Sequence, residues 1–333
     1  MKAPATQFMM LAGMLGSGKT SLLEALLSDS AAQTSTAIIV NEVGAINIDG
    51  AVLSESARGT AMATLSNGCV CCSLNNDLVM TIEDLVASRI EAGLPAFERI
   101  VLECSGLSRP DEVMRSLNPL AAMGLRVHIA VTYDCSRPPL DGDSFDDVAA
   151  QLGAAHTIVL TKTDLVGDEQ RCLERARIAR INPLAHLVDE DSLRERARAA
   201  FRDFESGQAL IAHEADEADE GRRSSRVLLH PRLRVFCARF HGTPEWEQTL
   251  EWMENISGAL GGRLLRMKAI VAGPAPGDRI LLQSVGTTFA APRRLSLANA
   301  PDMAAVFIVR DCGMQELEEA GMSGLVRWAS LQG

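Results

Sequence analysis

The feature that most constrains the fold is a glycine-rich segment near the start of the chain. Residues 13–20 read Gly-Met-Leu-Gly-Ser-Gly-Lys-Thr and match the pattern G-x-x-x-x-G-K-[ST]. An apolar run at 8–12 precedes the segment, and an amphipathic stretch at 21–28 follows it. A buried strand, a glycine-rich turn and a helix in this order predict a loop whose backbone N–H groups surround a phosphate.

Particular roles follow for the side chains of this loop. Lys19 is expected to contact the β- and γ-phosphates and to act in catalysis, and the Thr20 hydroxyl is expected to bind Mg²⁺. The residues predicted to bind the nucleotide here are Gly13, Gly16, Ser17, Gly18, Lys19, Thr20 and Ser21.

Apolar and amphipathic stretches alternate over the first two-thirds of the chain. Runs at 8–12, 36–40, 100–103, 127–132 and 157–161 predict buried strands, and stretches at 21–28, 77–91, 111–117 and 169–180 predict helices. Strands that alternate with helices form a parallel sheet with helices on both faces. The predicted fold class is α/β, a P-loop NTPase sheet.

The remainder of the chain predicts a smaller α+β domain. The charged run that begins at Glu214 contains no aromatic residue and predicts an exposed linker. Strands are predicted at 233–240, 264–271, 280–285 and 305–309, with a helix that begins at Thr243-Pro244 and ends at Gly261-Gly262. We therefore expect a P-loop domain at 1–205, an acidic linker at 206–226 and the second domain at 227–333.

The amino-acid composition excludes several classes of binding partner. With Lys+Arg 32 and Asp+Glu 43, the net charge is −11, which argues against nucleic acid and anionic membranes as partners. No run approaches the roughly 20 apolar residues of a membrane span. Three of the eight cysteines are clustered. The other five are scattered, which is typical of buried small side chains rather than of a disulfide framework. We expect a cytoplasmic protein.

A second nucleotide motif lies at the end of a predicted strand. Residues 161–164 read Thr-Lys-Thr-Asp and approximate the [NT]-K-x-D pattern that binds a guanine base. The Asp164 carboxylate only accepts hydrogen bonds, so it suits the ring N–H and the amine of guanine, whereas adenine presents no such donor pair. The Lys162 stem can lie along the base, and Thr161 completes the predicted set.

Acidic residues between these motifs are candidate Mg²⁺ and catalytic groups. Glu103 ends a predicted strand beside the phosphate loop, and Gly106 follows it in a position to bring a backbone N–H to the γ-phosphate. Glu42 and Asp49 lie in the interval where GTPases carry a nucleotide-sensing switch. Each of these two carboxylates is a candidate contact for Mg²⁺ or for the neighbouring thiols. The alternative is a charge on a solvent-exposed loop with no role in the site.

Three thiols lie within four residues: Cys69, Cys71 and Cys72. If the chain curves there, the three sulfurs converge on one soft cation, Zn²⁺ or Cu(I), or Co²⁺ with a fourth oxygen or nitrogen ligand. A redox switch is the main competing interpretation.

Together these motifs resemble the CobW family of P-loop GTPases, which are metallochaperones linked to zinc and cobalt. In the C-terminal part the resemblance rests on Arg266-Met-Lys268, on residues 283–286 and on residues 306–309. It implies GTP and Mg²⁺ as cofactors, Zn²⁺ or Co²⁺ at the thiols, and delivery of that metal to a client protein. Thr161 stands where the family usually has Asn, which removes an amide expected to brace the phosphate loop.

Two other functions share part of this pattern. An ATP-dependent P-loop kinase needs the phosphate loop but neither the 161–164 motif nor three adjacent thiols. A nucleotide-binding thiol redox or metal sensor needs the thiols but no hydrolysis. The sequence leaves the oligomeric state open, and a homodimer is one of the candidate assemblies.

Overall fold

The computed structural model describes residues 6–28, 35–41, 60–65, 74–137, 144–202, 231–275, 277–295, 303–321 and 324–332. The chain divides into two compact units. The first unit comprises 1–151, 155–167 and 186–203, and the second comprises 152–154, 168–185 and 204–333. Each unit is built on its own sheet.

The sheet of the first unit has seven parallel strands in the order β3-β2-β4-β1-β5-β6-β7. The strands are β1 (Gln7–Gly13), β2 (Thr36–Asn41), β3 (Ala61–Leu65), β4 (Arg99–Glu103), β5 (Arg126–Asp134), β6 (Thr157–Thr161) and β7 (His186–Val188). Strands β1, β2 and β6 are buried along their whole length, as expected for a parallel sheet covered on both faces.

Helices connect these strands. They are α1 (Lys19–Leu27), α2 (Leu74–Glu91), α3 (Pro110–Ser116), α4 (Phe145–Ala154), α5 (Asp168–Ile181) and α6 (Leu193–Ala200). Helix α1 packs against α6, and α2 packs against α3. The apolar face of α1, with Leu22, Leu23 and Leu27 fully buried, joins one core with Met9 of β1 and Val101 of β4.

The predicted parallel α/β fold is confirmed, and each of the five predicted strands of this sheet is present. Strands β3 and β7 were not predicted from the sequence. Strand β3 reads Ala-Met-Ala-Thr-Leu and is only partly buried, and β7 has three residues, so neither has a long apolar run. Helices α4 and α6 were also not predicted.

The second unit contains an antiparallel sheet in the order β11-β10-β9-β13-β8-β14, with β12 paired to β10. The strands are β8 (Leu233–Phe240), β9 (Leu264–Ala272), β10 (Arg279–Val285), β11 (Thr288–Phe289), β12 (Arg293–Leu295), β13 (Ala304–Arg310) and β14 (Val326–Ser330). Helices α7 (Trp246–Leu260) and α8 (Met314–Ala320) pack on one face, where Trp252, Ile256 and Phe307 are almost completely buried.

The predicted start of α7 at Thr243-Pro244 is wrong. Glu245 is the N-cap, and Gln248 accepts a hydrogen bond from its backbone N–H while the Glu245 side chain accepts one from the N–H of Gln248. This reciprocal pair satisfies two N–H groups of the helix end, so the helix begins after Glu245. The predicted end at Gly261 is confirmed, with φ +52.

Most of the scattered cysteines are buried as predicted. Cys104, Cys135, Cys237 and Cys312 are buried, whereas Cys172 on α5 is exposed. Burial raises the pKa of the Cys104 thiol to about 12, although the Lys19 charge acts in the opposite direction. At neutral pH the Cys104 thiol is therefore protonated and packed in the core.

Among the helices that the structure describes, none combines the length and the apolar composition needed to cross a bilayer.

Candidate nucleotide-binding site

The predicted site residues meet at one edge of the parallel sheet. Gly13 ends β1, Glu103 ends β4 and Thr161 ends β6. Strands β4, β1, β5 and β6 are neighbours and parallel, so their carboxyl ends lie side by side. Ligands of open α/β sheets bind at this edge, because the loops there leave polar groups free of the ladder.

The phosphate loop requires glycine at its first position. Gly13 has φ +138, and a Cβ there would lie 2.2 Å from Thr132 Oγ1 on β5. The Ser17 hydroxyl lies 2.6 Å from that same Thr132 oxygen, so β5 fixes the middle of the loop. The loop conformation is thus set by contacts to a neighbouring strand as well as by its own glycines.

Lys19 lies inside the loop and is only 8% exposed. Its ammonium donates hydrogen bonds to Gly13 O at 2.8 Å and to Met14 O at 3.2 Å. These carbonyls satisfy the buried charge and hold the ammonium at the start of α1. A phosphate in the loop would meet this ammonium together with the N–H groups of the helix N-terminus.

Thr20 and Glu103 form the candidate Mg²⁺ position. The Thr20 hydroxyl donates to Glu103 Oε1 at 2.7 Å, and Glu103 is 3% exposed. A hydroxyl and a carboxylate are the hard oxygen ligands that Mg²⁺ takes, so the two side chains fit the ion. The sequence separates them by 83 residues, and only the pairing of β1 with β4 brings them together.

Gly106 lies directly against the phosphate loop. A Cβ at this position would lie 2.6 Å from the backbone nitrogen of Leu15, so only glycine fits. The amide of Gln151 on α4 donates to Gly106 O at 3.0 Å and to Ser108 O at 3.1 Å, and Gln151 is 1% exposed. The 105–108 loop is therefore held from both sides.

The base-recognition loop is tied to the phosphate loop through Thr161. Its hydroxyl lies 2.8 Å from Ser17 O and 3.0 Å from Tyr133 O, and its one proton reaches either carbonyl. The brace expected from an Asn amide at this position is thus made by a hydroxyl, and the departure from the family pattern costs the loop no contact to Ser17.

Lys162 is held in place by Asp134. Lys162 has φ +54, and its ammonium donates to Asp134 Oδ2 at 2.7 Å. Burial opposes ionisation of this carboxyl, but hydrogen bonds from Lys162 and Ser136 outweigh it and hold the pKa of Asp134 below its ordinary value. The charged carboxylate fixes the lysine stem where a base can lie along it.

Asp164 is exposed at the tip of this loop, within the short helix Thr163–Leu165. The neighbouring Thr163 hydroxyl accepts a hydrogen bond from Arg196 of α6 at 2.7 Å. Arg196 is 7% exposed and also donates to the backbone of Glu190 and Asp191. Helix α6 therefore fixes the loop that presents the Asp164 carboxylate.

The remaining predicted nucleotide-binding residues lie in the phosphate loop and in the first turn of α1. Gly16 and Ser21 are exposed, and Gly18 precedes α1 with φ +91. The predicted residues Glu42, Asp49, Cys69, Cys71 and Cys72 lie outside the described residues. Within the described ranges, no group of three or more His, Cys, Asp or Glu side chains could hold a metal ion.

Sequence reasoning missed four residues that position the site: Thr132, Asp134, Gln151 and Arg196. The first two follow the apolar run of β5 and could have been found as polar residues at the carboxyl end of a parallel strand. Gln151 and Arg196 lie in helices α4 and α6, and no local signal distinguishes them from solvent-exposed helix residues.

Two family models match the chain. The model described as CobW/HypB/UreG, nucleotide-binding domain, matches residues 7–189. The chain belongs to the CobW/HypB/UreG family. The model described as the cobalamin synthesis protein cobW C-terminal domain matches residues 233–321 of this CobW-type chain, which confirms the resemblance of its second part.

Individual relatives cover this CobW-type chain to different extents. The zinc chaperone YjiA of Escherichia coli is 33% identical over 179 residues, which are 53% of this chain and 54% of that protein, so the match spans about half of each. The zinc chaperone CobW of Pseudomonas aeruginosa is 28% identical over 327 residues, 86% of this chain and 82% of that protein.

Among solved structures, Zn(II)-bound YjiA GTPase from E. coli is similar with a TM-score of 0.64 at 20% identity. The alignment covers 98% of this chain and 100% of that one. This similarity supports the same overall fold.

Proposed function

We propose that the protein is a GTPase that carries a transition metal, Zn²⁺ or Co²⁺, on Cys69, Cys71 and Cys72 and delivers it to a client protein. The observation that supports the GTPase part most directly is the arrangement of Lys19, the Thr20–Glu103 pair and the Thr161–Asp164 loop at one sheet edge. The zinc chaperones among its relatives support the metal part.

The chain's own groups account for nucleotide binding. Loop N–H groups and the Lys19 ammonium hold the β- and γ-phosphates, and the Asp164 carboxylate accepts from the guanine ring N–H and amine. The candidate Mg²⁺ ligands are Thr20 and Glu103 with Asp49 as the predicted third. When bound there, Mg²⁺ supplies positive charge to the phosphate oxygens.

Hydrolysis converts GTP and water to GDP and phosphate. As the γ-phosphate leaves, Lys19 stabilises the charge on its oxygens, and the Gly106 N–H loses its contact. Glu103 and Glu42 are the proposed acidic catalytic residues. The thiols lie in the interval between Lys19 and Glu103, so relaxation of that interval changes their hold on the metal.

Guanine recognition is tested with Asp164→Asn. An amide in place of the carboxylate loses an acceptor for guanine, so GTP affinity falls at least about tenfold, while xanthosine triphosphate, which offers an acceptor at the same ring position, binds better than to the wild type. Asp168→Asn, which changes an exposed acid outside the loop, is the matched control. A preference of the wild type for ATP over GTP favours the kinase instead.

Metal coupling is tested by measuring Zn²⁺ and Co²⁺ affinity of the reduced protein with GTP, with GDP and without nucleotide. We expect the affinity to differ among the three states and to be lost in the Cys69→Ser, Cys71→Ser, Cys72→Ser variant. Equal affinities contradict the coupling. A reversible disulfide among these cysteines, with no metal retained under reducing conditions, favours the redox sensor.

The domain boundaries at 205 and 227, the cytoplasmic location and the homodimer stay predictions.

A further inference from the structure

One face of the antiparallel sheet is lined with cations. Paired residues on antiparallel strands share a face, and the register places the charged residues of this face opposite the side that packs on α7 and α8. At the described strand positions of this face there is no Asp or Glu. The cations there are Arg239, Arg266, Lys268, Arg279, Arg293, Arg310 and Arg327.

Lys268 lies at the middle of this face and is only 2% exposed. Its neighbours across β10 and β13 are Gln283 and Val306, and Ile270 follows it on the same face of β9. Among the described residues its ammonium has neither a hydrogen bond nor an ion pair, and the charges close to it are those of Arg266 and Arg293. Burial, with these two like charges, lowers the pKa of Lys268 to about 7.

Gln283 provides a second unsatisfied group beside the first. Its side-chain oxygen is enclosed and accepts no hydrogen bond from any residue that the structure describes. A donor without an acceptor and an acceptor without a donor thus occupy directly paired positions on β9 and β10. The enclosed Gln283 oxygen costs about 1–3 kcal/mol when it is unsatisfied, so its retention beside an unpaired ammonium indicates a ligand that satisfies both groups.

The neighbouring arginines extend the positive charge from this point to solvent. Arg266 is 2% exposed, and its guanidinium donates to Ala154 O at 3.0 Å, which fixes its position. Arg293 lies on β12 at the margin of the sheet and is exposed. Arg266, Lys268 and Arg293 therefore form a line of charge from the exposed margin into the sheet, which attracts an anion.

We propose that Lys268, Arg266, Arg293 and Gln283 form a phosphate-binding site in the C-terminal unit, separate from the nucleotide loop. This proposal does not depend on the proposed function. The negative oxygens of phosphate accept from Lys268, and the P–OH that phosphate keeps at neutral pH donates to Gln283 Oε1. Sulfate and carboxylates have no such proton at neutral pH and leave the Gln283 oxygen unsatisfied.

The composition of the chain makes the site easy to observe. The full chain has four lysines: Lys2, Lys19, Lys162 and Lys268. Labelling with lysine carrying ¹³C at the ε position gives one NMR signal for each, and Lys268→Met identifies the signal of the proposed site. The Lys19 signal reports phosphate at the nucleotide loop independently in the same sample.

The experiment follows the four signals against pH at constant ionic strength, with chloride, sulfate, inorganic phosphate or glycerol phosphate. We expect the Lys268 midpoint near 7 in chloride, and a saturable rise towards its ordinary 10.5 with inorganic phosphate. Sulfate should bind at least about tenfold more weakly, since it lacks one hydrogen bond to a buried group. Glycerol phosphate loses its last P–OH proton at about pH 6 and should therefore bind as weakly as sulfate above pH 7; binding as tight as that of inorganic phosphate contradicts the hydrogen bond to Gln283.

Two results overturn the proposal. One is a Lys268 midpoint that is the same in phosphate as in chloride, and the other is a midpoint near 10.5 in chloride alone. Gln283→Leu should bring phosphate affinity down to that of sulfate. Arg294→Gln is the matched control, because Arg294 points to the other face and pairs with Asp278. Since the decisive titration uses the wild-type chain, a variant that fails to fold leaves the test intact.

Discussion

Two buried lysines show how the two sheets treat the same charge. Lys19 and Lys268 are 8% and 2% exposed. Lys19 lies in a loop beyond a strand end, where the carbonyls of Gly13 and Met14 are available to it. Lys268 lies in the middle of a strand with a partner strand on each side, so the nearby carbonyls are committed to the ladder.

The difference in acceptors decides what each ammonium can do. Acceptors at 2.8 and 3.2 Å keep Lys19 charged and in position for an anionic nucleotide. Lys268 has no acceptor in the part of the chain that the structure describes. Burial and the charges of Arg266 and Arg293 lower its pKa to about 7, and binding an anion becomes the way to restore its charge. The following predictions test this contrast, in order of their expected effect on GTP hydrolysis.

The largest effect is expected for Lys19→Met. Removal of the ammonium withdraws charge stabilisation from the leaving phosphate, and the rate of GTP hydrolysis should fall on the order of 10²–10³-fold. Steady-state phosphate release measures it. Lys268→Met is the matched control, because it removes a similarly buried ammonium outside the nucleotide site. An equal loss of hydrolysis rate in both variants would contradict the different roles of the two lysines.

Gln151→Met should have the next largest effect. The variant removes the donor that holds Gly106 O and Ser108 O, so the loop facing the γ-phosphate loosens. We expect kcat to fall about tenfold with little change in the KM for GTP, because loop placement matters most in the transition state. Gln315→Met, which removes an exposed amide bonded to Glu319, is the control. A rise in KM at constant kcat contradicts this role.

Thr161→Val should act more weakly and on binding. The substitution keeps the shape but removes the hydroxyl that lies near Ser17 O and Tyr133 O. GDP affinity should fall by about five- to tenfold, the cost of one buried hydrogen bond. Thr161→Ser keeps the hydroxyl and should bind nearly as the wild type does; calorimetry on the three proteins decides whether the hydroxyl is the brace.

Lys268→Met should leave hydrolysis unchanged and alter stability. In phosphate-free buffer at pH 6, we expect the variant to be as stable as the wild type or more stable by about 1–4 kcal/mol, because an uncompensated buried charge is replaced by an apolar side chain. Urea unfolding measures the difference.

The pH dependence of that difference has a definite sign. Below pH 7 Lys268 is charged in both states, and the folded wild type bears the full cost. Between about 7 and 10.5 only the unfolded state stays charged, so wild-type stability rises with pH and the advantage of the variant shrinks. If the difference in unfolding free energy between the wild type and Lys268→Met is constant from pH 6 to 9, the pKa of Lys268 is not lowered in the folded state.

The sequence by itself determined the parallel α/β fold, because long apolar runs at the centre of a sheet carry an unambiguous pattern, as in Thr157–Thr161. It also determined the phosphate loop and the family, since both rest on short motifs whose residues are contiguous. It missed β3 and β7, whose short or partly buried runs carry little signal.

Only the tertiary structure decided which distant groups meet. Thr20 and Glu103 are 83 residues apart and Thr161 and Ser17 are 144 apart, and strand pairing sets both contacts. The sequence likewise places Lys268 in a strand, but only the tertiary structure shows which groups surround its ammonium. Whether an ammonium has acceptors depends on which carbonyls the neighbouring strands leave free, and that is a property of the folded sheet.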